Sequence, residues 1–263
     1  MKNVSTEMQA RVQAELDRIE RENGVRILLA IESGSRAWGF PSRDSDYDVR
    51  FLYLRRRQDY LSVFDHREVI ERPLDAALDI NGWDIKKALR LMTGSNAVVL
   101  EWLTSPLRYR ADDSATARLL RAARDVAHLP AYVYHYDRLA RRSLSEITLA
   151  DTARLKAYCY CLRACLALAW IRERHAPPPM DLPSLLAGTT VSQELRPIID
   201  RLVARKAGAT ERDVTSRIPF LDALFEETLR LPEERADLPD RSVEQRRIDT
   251  LFRALALSEV STP

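Results

Sequence analysis

The strand-like segments of this sequence all lie before residue 95, and this distribution restricts the fold more than any other feature. Short runs rich in Val, Ile and Leu, or with partly alternating polarity, predict strands over Val25–Ile31, Tyr47–Tyr53, Glu68–Arg72 and Ala76–Gly82. Apolar residues that recur every three to four positions predict a helix before them, over Met8–Asn23. The N-terminal part therefore predicts a small β-sheet with helices.

From residue 96 onward the pattern is helical, and no strand is predicted. Helices are expected over Ala131–Leu144, Asp151–Glu173, Ser192–Arg205, Glu211–Leu229 and Ser242–Leu257, with a linker over 231–239. We therefore predict an α+β protein with a sheet-containing core over residues 1–95 and a mainly α-helical part over residues 96–263. The sequence leaves open whether the helical part is a separate domain.

The composition is that of a folded globular protein. Of 263 residues, 46% are hydrophobic and 30% are charged, which excludes disordered and collagen-like chains. Because 41 Lys and Arg oppose 39 Asp and Glu, the net charge is only +2 and any polyanion site must be local. No apolar run approaches the roughly 20 residues that span a bilayer, and the N-terminus lacks a signal-peptide core. We expect a cytoplasmic protein that does not contact a membrane.

The three cysteines give no sign of a disulfide or a metal site. Cys159, Cys161 and Cys165 are an odd number within one predicted helix, which is a poor disulfide framework. No further Cys or His lies nearby in the sequence to complete a zinc site. We predict buried free thiols.

The segment that carries chemistry lies between the first two predicted strands. A Gly34-Ser35 turn follows the first strand, and Asp46 and Asp48 stand two residues apart at the start of the second. Residues two apart on a strand share a face, roughly 6.6 Å apart at about 3.3 Å per residue, so these carboxylates can hold hard divalent cations. The backbone amides and hydroxyl of the turn would face phosphate oxygens. The alternative is an ordinary turn before an edge strand. Each of these residues, considered alone, is equally compatible with the turn and with the metal site.

This segment resembles the hallmark of the DNA polymerase beta-like nucleotidyltransferase superfamily, which is Gly-Ser, a spacer, and Asp-x-Asp on a strand. Similarity to the bacterial and phage predicted nucleotidyltransferase family associated with RNA-repair ligases extends over ESGSRAWGFPSRDSDYDVRFLY, LDINGWDIKKALRLM, SNAVVLEWLTSP and KAYCYCLRACLALAWI, at about residues 31–171. The resemblance implies a small mixed sheet, a helical C-terminal part, and Mg²⁺ or Mn²⁺ as cofactor. It also implies transfer of a nucleoside monophosphate from an NTP with release of pyrophosphate.

Such enzymes use a third carboxylate on a neighbouring strand, and two acids compete for that role. Asp79 lies within a predicted strand, at a depth where it could meet Asp46 and Asp48 across the sheet. Asp84 directly precedes a predicted helix, where capping of the free helix amides is a sufficient explanation. We predict that Asp79 is the third metal ligand and catalytic carboxylate, with Asp84 as the alternative. Glu32, at the end of the first strand, either supports the site or lies at the surface.

Several basic residues are candidates for binding phosphate. Lys156, Tyr160 and Arg163 are spaced by four and three, which places them on one helix face. We favour triphosphate or nucleic-acid contacts for Lys156 and Arg163 over a solvated surface face. The further phosphate-binding candidates are Arg36, Arg43 and Lys87.

We expect a metal-dependent nucleotidyltransferase that binds an NTP such as ATP and acts on an RNA end in repair or processing, with an RNA ligase as a candidate partner. One alternative is transfer to a protein hydroxyl or a small molecule, as in toxin-antitoxin and antibiotic-modifying nucleotidyltransferases. Another is a non-catalytic binding module that lends its fold to a repair partner. The presence of Asp46 and Asp48 counts against the binding module.

Overall fold

The computed structural model describes residues 4–72, 77–230 and 240–257. These residues form two compact units. The first contains described residues 4–34, 46–72, 77–127 and 240–257, and the second contains residues 35–45 and 128–230. The predicted α+β class is confirmed, because the first unit contains a mixed sheet and the second is mainly helical.

The helices and strands follow one another along the chain with these bounds. The strands are β1 (Val25–Glu32), β2 (Tyr47–Arg55), β3 (Val69–Arg72), β4 (Leu78–Asp84), β5 (Arg108–Ala111), β6 (Thr152–Arg154) and β7 (Val214–Ser216). The helices are α1 (Thr6–Asn23), α2 (Gly34–Trp38), α3 (Arg57–Tyr60), α4 (Ile85–Thr93), α5 (Ala97–Thr104), α6 (Asp113–Asp125), α7 (Leu129–Thr148), α8 (Leu155–Arg174), α9 (Leu182–Gly188), α10 (Leu195–Gly208), α11 (Pro219–Arg230) and α12 (Ser242–Leu257). Ala76, where the fourth strand was expected to begin, and the linker expected over 231–239 lie outside the described residues.

The sheet of the first unit has the strand order β3-β4-β2-β1-β5 among the described residues. β1 is antiparallel to both β2 and β5, β2 is parallel to β4, and β4 is antiparallel to β3. The interior strand β1 is apolar because it is covered on both faces, and Leu28 to Ile31 are completely buried. The parallel pairing of β2 with β4 brings the starts of these two strands side by side, which positions the candidate site.

Helix α1 packs on this sheet through the apolar stripe that its spacing predicts. Val12, Leu16 and Ile19 are completely buried. The Ser5 side chain caps the N-terminus by accepting a hydrogen bond from the amide of Met8. At the other end Gly24 adopts the left-handed conformation, with φ of 60°, that ends helices and favours glycine.

The prediction that no strand follows residue 95 is wrong. β5 pairs with β1 at the edge of the sheet, yet its sequence is Arg-Tyr-Arg-Ala and lacks an apolar run. The charge is tolerated there because Arg110 donates hydrogen bonds to Asp17 at 2.5 Å and to Glu20 at 2.8 Å. These partners lie 90 and 93 residues earlier in the chain, so no local pattern identifies this strand.

The first unit also takes in residues beyond the boundary expected after residue 95. β5 joins the sheet, α6 packs against β1, and α12 packs back against α4 and α6. Arg241 fixes the start of α12 by donating to the carbonyl oxygen of Val126 at 3.1 Å and to the Ser95 hydroxyl at 2.7 Å. The compact units therefore divide the chain differently from the sequence-based boundary, since long-range packing decides where they end.

The second unit is arranged around α8, which packs against α7, α9, α10 and α11. α8 is buried over most of its length and contains Cys159, Cys161 and Cys165 as buried free thiols, as predicted. The helices expected to begin at Asp151 and Glu211 begin later, because β6 and β7 pair antiparallel just before α8 and α11. No helix in the described parts of the chain is both long and apolar enough to cross a membrane.

Candidate active site

The Gly34 backbone lies directly against the carboxylate of Asp48 in the first unit. Gly34 has φ of 58°, a conformation that favours glycine. A Cβ atom at this position would lie 2.0 Å from Oδ2 of Asp48, so no side chain fits while that carboxylate keeps its place. The preceding residue, Ser33, donates its amide to the carbonyl oxygen of Asp48 at 2.8 Å. The turn after β1 and the start of β2 are thus held together by backbone as well as side-chain contacts.

Asp48 and Asp79 are direct neighbours across the sheet. They are paired in register on the parallel strands β2 and β4, so both side chains leave the same face. The side chain of Asp48 is 25% exposed and that of Asp79 is 54% exposed, which leaves both open to a ligand. Asp46 is exposed and lies one residue before β2 begins. The structure therefore places Asp79 where the sequence expected it, although its catalytic role remains a proposal.

A guanidinium group lies between these two carboxylates. Nη2 of Arg50 is 2.9 Å from Oδ1 of Asp48 and 2.7 Å from Oδ2 of Asp79. The side chain is only 19% exposed, and Nη1 also donates to the carbonyl oxygen of Val49 at 3.0 Å. Sequence reasoning missed Arg50, although the two-residue period of β2 places it on the same face as Asp48 and could have identified it.

Glu32 supports this arrangement from the interior. Its side chain is completely buried at the end of β1. One carboxylate oxygen accepts the backbone amide of Asp48 at 3.0 Å, and the other accepts the hydroxyl of Tyr109 at 2.5 Å. Of the two alternatives left by the sequence, the structure favours support of the site, because Glu32 fixes the backbone that presents the Asp48 side chain.

Asp84, the competing third acid, is the N-terminal cap of α4. Its carboxylate accepts the amide of Lys86 at 2.8 Å and the hydroxyl of Tyr60 at 3.1 Å. The side chain is almost fully buried, and this burial raises the pKa of Asp84 despite those hydrogen bonds. Capping and buried hydrogen bonding account for this residue without a catalytic role.

Lys87 is partly exposed at the start of α4 in the same unit. Its ammonium lies 5.1 Å from the centre of the Trp83 ring, at cation-π distance. Trp83 in turn packs on Trp102, with ring centres 4.0 Å apart. The packed Trp83 ring thus holds the ammonium of Lys87 beside it, and the role of Lys87 in binding phosphate remains a proposal.

In the second unit, residues 35–45 contain most of α2 and the loop that follows it, and side-chain and backbone hydrogen bonds tie this segment, called the loop below, to itself. The hydroxyl of Ser35 bonds to that of Ser45 at 3.1 Å, and Arg36 donates to the carbonyl oxygen of Ser45 at 2.5 Å. The side chain of Arg43 is exposed, while its backbone amide donates to the carbonyl oxygen of Ala209 at 3.0 Å. Hydrogen bonds therefore close the loop on itself, and the Arg43 side chain stays exposed.

Glu211 anchors the same loop. Its carboxylate accepts hydrogen bonds from the hydroxyl groups of Ser42 and Ser45, at 2.5 and 3.0 Å. It also pairs with Lys206, which is completely buried, at 2.7 Å and with Lys156 at 3.0 Å. Burial alone would raise the pKa of Glu211, but the bonds from Lys206 and Ser42 outweigh it and lower the pKa to about 2. The sequence contained no signal for this contact, which joins residues more than 160 positions apart.

Lys156, Tyr160 and Arg163 share one face of α8, as their spacing predicted, but this face packs against the loop. Arg163 is 2% exposed, lies 4.2 Å from the centre of the Trp38 ring, and donates to the carbonyl oxygen of Met180 at 3.1 Å. The rings of Tyr160 and Trp38 are nearly perpendicular, with centres 5.1 Å apart, and the ammonium of Lys156 lies 5.3 Å from the Tyr160 ring centre. This burial does not support the phosphate contact favoured for Arg163, whose partners are interior groups.

Within the first unit, the Gly34 backbone against Asp48 and the paired carboxylates of β2 and β4 form the arrangement that the resemblance to polymerase beta-like nucleotidyltransferases implies. The chain matches the model of the RNA repair pathway DNA polymerase beta family over residues 8–254, and it belongs to that family. The resemblance stated for the sequence is thereby confirmed.

Two relatives extend this comparison. The chain is 43% identical over 220 residues to the uncharacterized protein YcgL of Bacillus subtilis strain 168, covering 83% of this chain and 84% of that protein. A nucleotidyltransferase-like protein from Exiguobacterium sibiricum 255-15 aligns in structure over 94% of this chain and 75% of that chain, with 14% identity and a TM-score of 0.31. This structural likeness is too weak to support an argument. Family membership therefore rests on the sequence match.

Proposed function

We propose that this protein is a metal-dependent nucleotidyltransferase that transfers a nucleoside monophosphate from an NTP to an RNA end, with release of pyrophosphate. The observation that carries the proposal is the placement of Asp48 and Asp79 side by side on parallel strands, with the Gly34 backbone against Asp48. Membership of the RNA repair pathway DNA polymerase beta family supports nucleotidyl transfer in general and favours RNA as the acceptor.

The carboxylates suit Mg²⁺ or Mn²⁺ by their chemistry, because hard divalent cations prefer oxygen ligands. The Arg50 guanidinium between Asp48 and Asp79 shows that this position already accepts positive charge. Within residues 4–72, 77–230 and 240–257, no three acidic, His or Cys side chains are grouped closely enough to form a complete metal site. We propose that Asp46, Asp48 and Asp79 would hold the metal once phosphate oxygens of a bound NTP complete its set of ligands, and that the metal would polarise those oxygens and neutralise their developing charge.

The chain's own groups account for binding and proton transfer. Asp79 is the more exposed of the paired carboxylates, and we assign it to accept the proton of the attacking hydroxyl. Glu32 holds the amide of Asp48, which keeps the backbone of β2 fixed while ligands exchange. Arg50 compensates the charge of the paired carboxylates in the protein without substrate.

The candidate phosphate-binding residues differ in the exposure of their side chains and in the partners these side chains already have. Gly34 and Ser35 supply the turn, whose amides suit phosphate oxygens. Arg43 is exposed and Lys87 is partly exposed, so both are open to a triphosphate. The other remaining candidates are Arg36, which bonds to Ser45, and Lys156, which pairs with Glu211. Arg163 is left out of the proposal because it is buried.

The acceptor is the part of the proposal that needs experiment first. The purified protein would be incubated with each of four α-labelled NTPs and Mg²⁺ or Mn²⁺, in turn with RNA, DNA or no acceptor. Label transferred to RNA in preference to DNA supports the proposal. Label on the protein itself would instead favour the protein-modifying alternative. An absence of transfer under every condition, with NTP still bound, would contradict catalysis and favour a binding module that serves a partner such as an RNA ligase.

A further inference from the structure

A groove in the first unit lies between α6 and α12, and its volume is about 330 Å³. This is near the lower end of the range for small-ligand sites. Its polar wall contains Arg118 and Arg121 from α6 and Arg247 from α12. Its apolar floor contains Val126, Ile248 and Leu251. The groove thus combines concentrated positive charge with an aliphatic surface.

The three arginines are available to a ligand. Among the described residues, none of the three forms an ion pair or a hydrogen bond through its side chain. In contrast, Arg253 on α12 pairs with Asp249 at 2.6 Å. Asp125 also lines the groove, so its ionisable side chains leave a net charge of +2. An unpaired arginine cluster of this kind attracts an anion, and the planar guanidinium groups match the geometry of phosphate.

The groove is built on fixed elements. Val126 is 3% exposed and Ile248 is 6% exposed, so the floor is part of the core. Arg241 bonds to the carbonyl oxygen of Val126 and to Ser95, and so holds the start of α12 against the end of α6. The two helices therefore present their arginines from a fixed framework, which reduces the entropy lost on binding.

We propose that this groove binds a nucleoside phosphate, with the phosphate on Arg118, Arg121 and Arg247 and the nucleoside on the aliphatic floor. The ligand is either a free nucleotide or the terminal nucleotide of a strand, since both have the same chemistry. The site is distinct from the paired carboxylates: α6 follows the edge strand β5, whereas Asp79 lies on β4, with β1 and β2 in between. It requires neither a metal nor nucleotidyl transfer.

The test compares two double variants with equal charge changes, in EDTA to remove metal. Arg118→Gln/Arg247→Gln alters the groove. Arg124→Gln/Arg246→Gln is the matched control, because these exposed arginines lie on the same helices outside the groove lining. The probes are AMP, followed by isothermal titration calorimetry, and a fluorescent 5′-phosphorylated RNA, followed by anisotropy. Thermal unfolding checks that both variants are folded.

We expect the groove variant to lose about tenfold or more in affinity for at least one probe, while the control stays within about twofold of wild type. A loss confined to AMP identifies a free nucleotide as the ligand, and a loss confined to RNA identifies a strand terminus, with a reduced salt dependence. Equal losses in both variants, or no loss in either, would overturn the proposal. Asp48→Asn should retain the groove affinity, so failure of the proposed catalytic function would leave this result unchanged.

Discussion

Replacing Gly34 with alanine should damage catalysis through the carboxylate of Asp48. The added Cβ would lie 2.0 Å from Oδ2 and 3.0 Å from Cγ of Asp48, so that side chain has to move by about 1 Å or more. A displacement of this size at a reacting centre lowers rates by on the order of a hundredfold. The left-handed backbone adds a stability penalty of about 1–2 kcal/mol, because φ at Gly34 is 58°.

Gly24 provides a matched control for that prediction. Its φ of 60° is nearly the same, but the nearest atoms to an added Cβ belong to the Arg56 side chain at 3.6 Å. Gly24→Ala should therefore lose about the same stability and retain transfer activity near that of wild type. Denaturant unfolding measures the stability of both variants, and kcat for transfer from a labelled NTP is measured where both stay folded. Equal activities in the two variants would refute the argument that the Asp48 carboxylate must stay in place.

The remaining predictions concern Asp79, Asp84, Arg50 and Glu211. Asp79→Asn should abolish transfer with little change in stability. Asp84→Ala should lose about 1–2 kcal/mol of unfolding free energy, because it removes a helix cap, and should keep most of the transfer activity. The reverse pattern would make Asp84 the third acid. Arg50→Gln removes the cation between two carboxylates, so Mn²⁺ binding to the substrate-free protein, followed by electron paramagnetic resonance, should tighten on the order of tenfold; unchanged affinity would argue against that role. The lowered pKa of Glu211 stabilises the fold above pH 4.5, and this contribution is lost as pH falls toward about 2. Glu211→Gln should therefore unfold with a free energy on the order of 3 kcal/mol lower at neutral pH, and its stability should change less with pH between about 4.5 and about 2. Urea unfolding at several pH values measures both proteins, and stability profiles that run parallel in the variant and the wild type would contradict this role.

The sequence predicted the local elements of the first unit because their signals are local. The α1 stripe of Val12, Leu16 and Ile19 and the apolar run of β1 appear where the periodicity placed them. β5 was missed because an edge strand with paired arginines has no apolar pattern. The unit boundaries differ from the predicted ones because α12 returns to pack against α4. A contact between residues so far apart in the sequence leaves no signal in the local pattern.

The site divides in the same way. The sequence predicted that Asp48 and Asp79 lie close together, because both stand on predicted strands at similar positions along the strand. The register of β2 and β4 pairs these two residues directly. Arg163 was expected to contact a triphosphate or nucleic acid because its spacing places it on one helix face with Lys156 and Tyr160, whereas tertiary packing buries it against Trp38. Arg50 was overlooked because an isolated arginine on a strand has an ordinary surface explanation until the neighbouring strand supplies Asp79.

Transfer by Asp48→Asn is the measurement that tests the proposed function most directly. The variant would be assayed with an α-labelled NTP and Mg²⁺ on the acceptor that wild type uses, beside Asp65→Asn, which changes an exposed carboxylate on the loop after α3. Loss of a metal ligand should lower the rate by on the order of a thousandfold or more. The melting temperature should stay close to that of wild type, because Arg50 keeps its ion pair with Asp79. Asp65→Asn should match wild type. Full activity in Asp48→Asn would contradict the proposed metal site and the chemistry built on it.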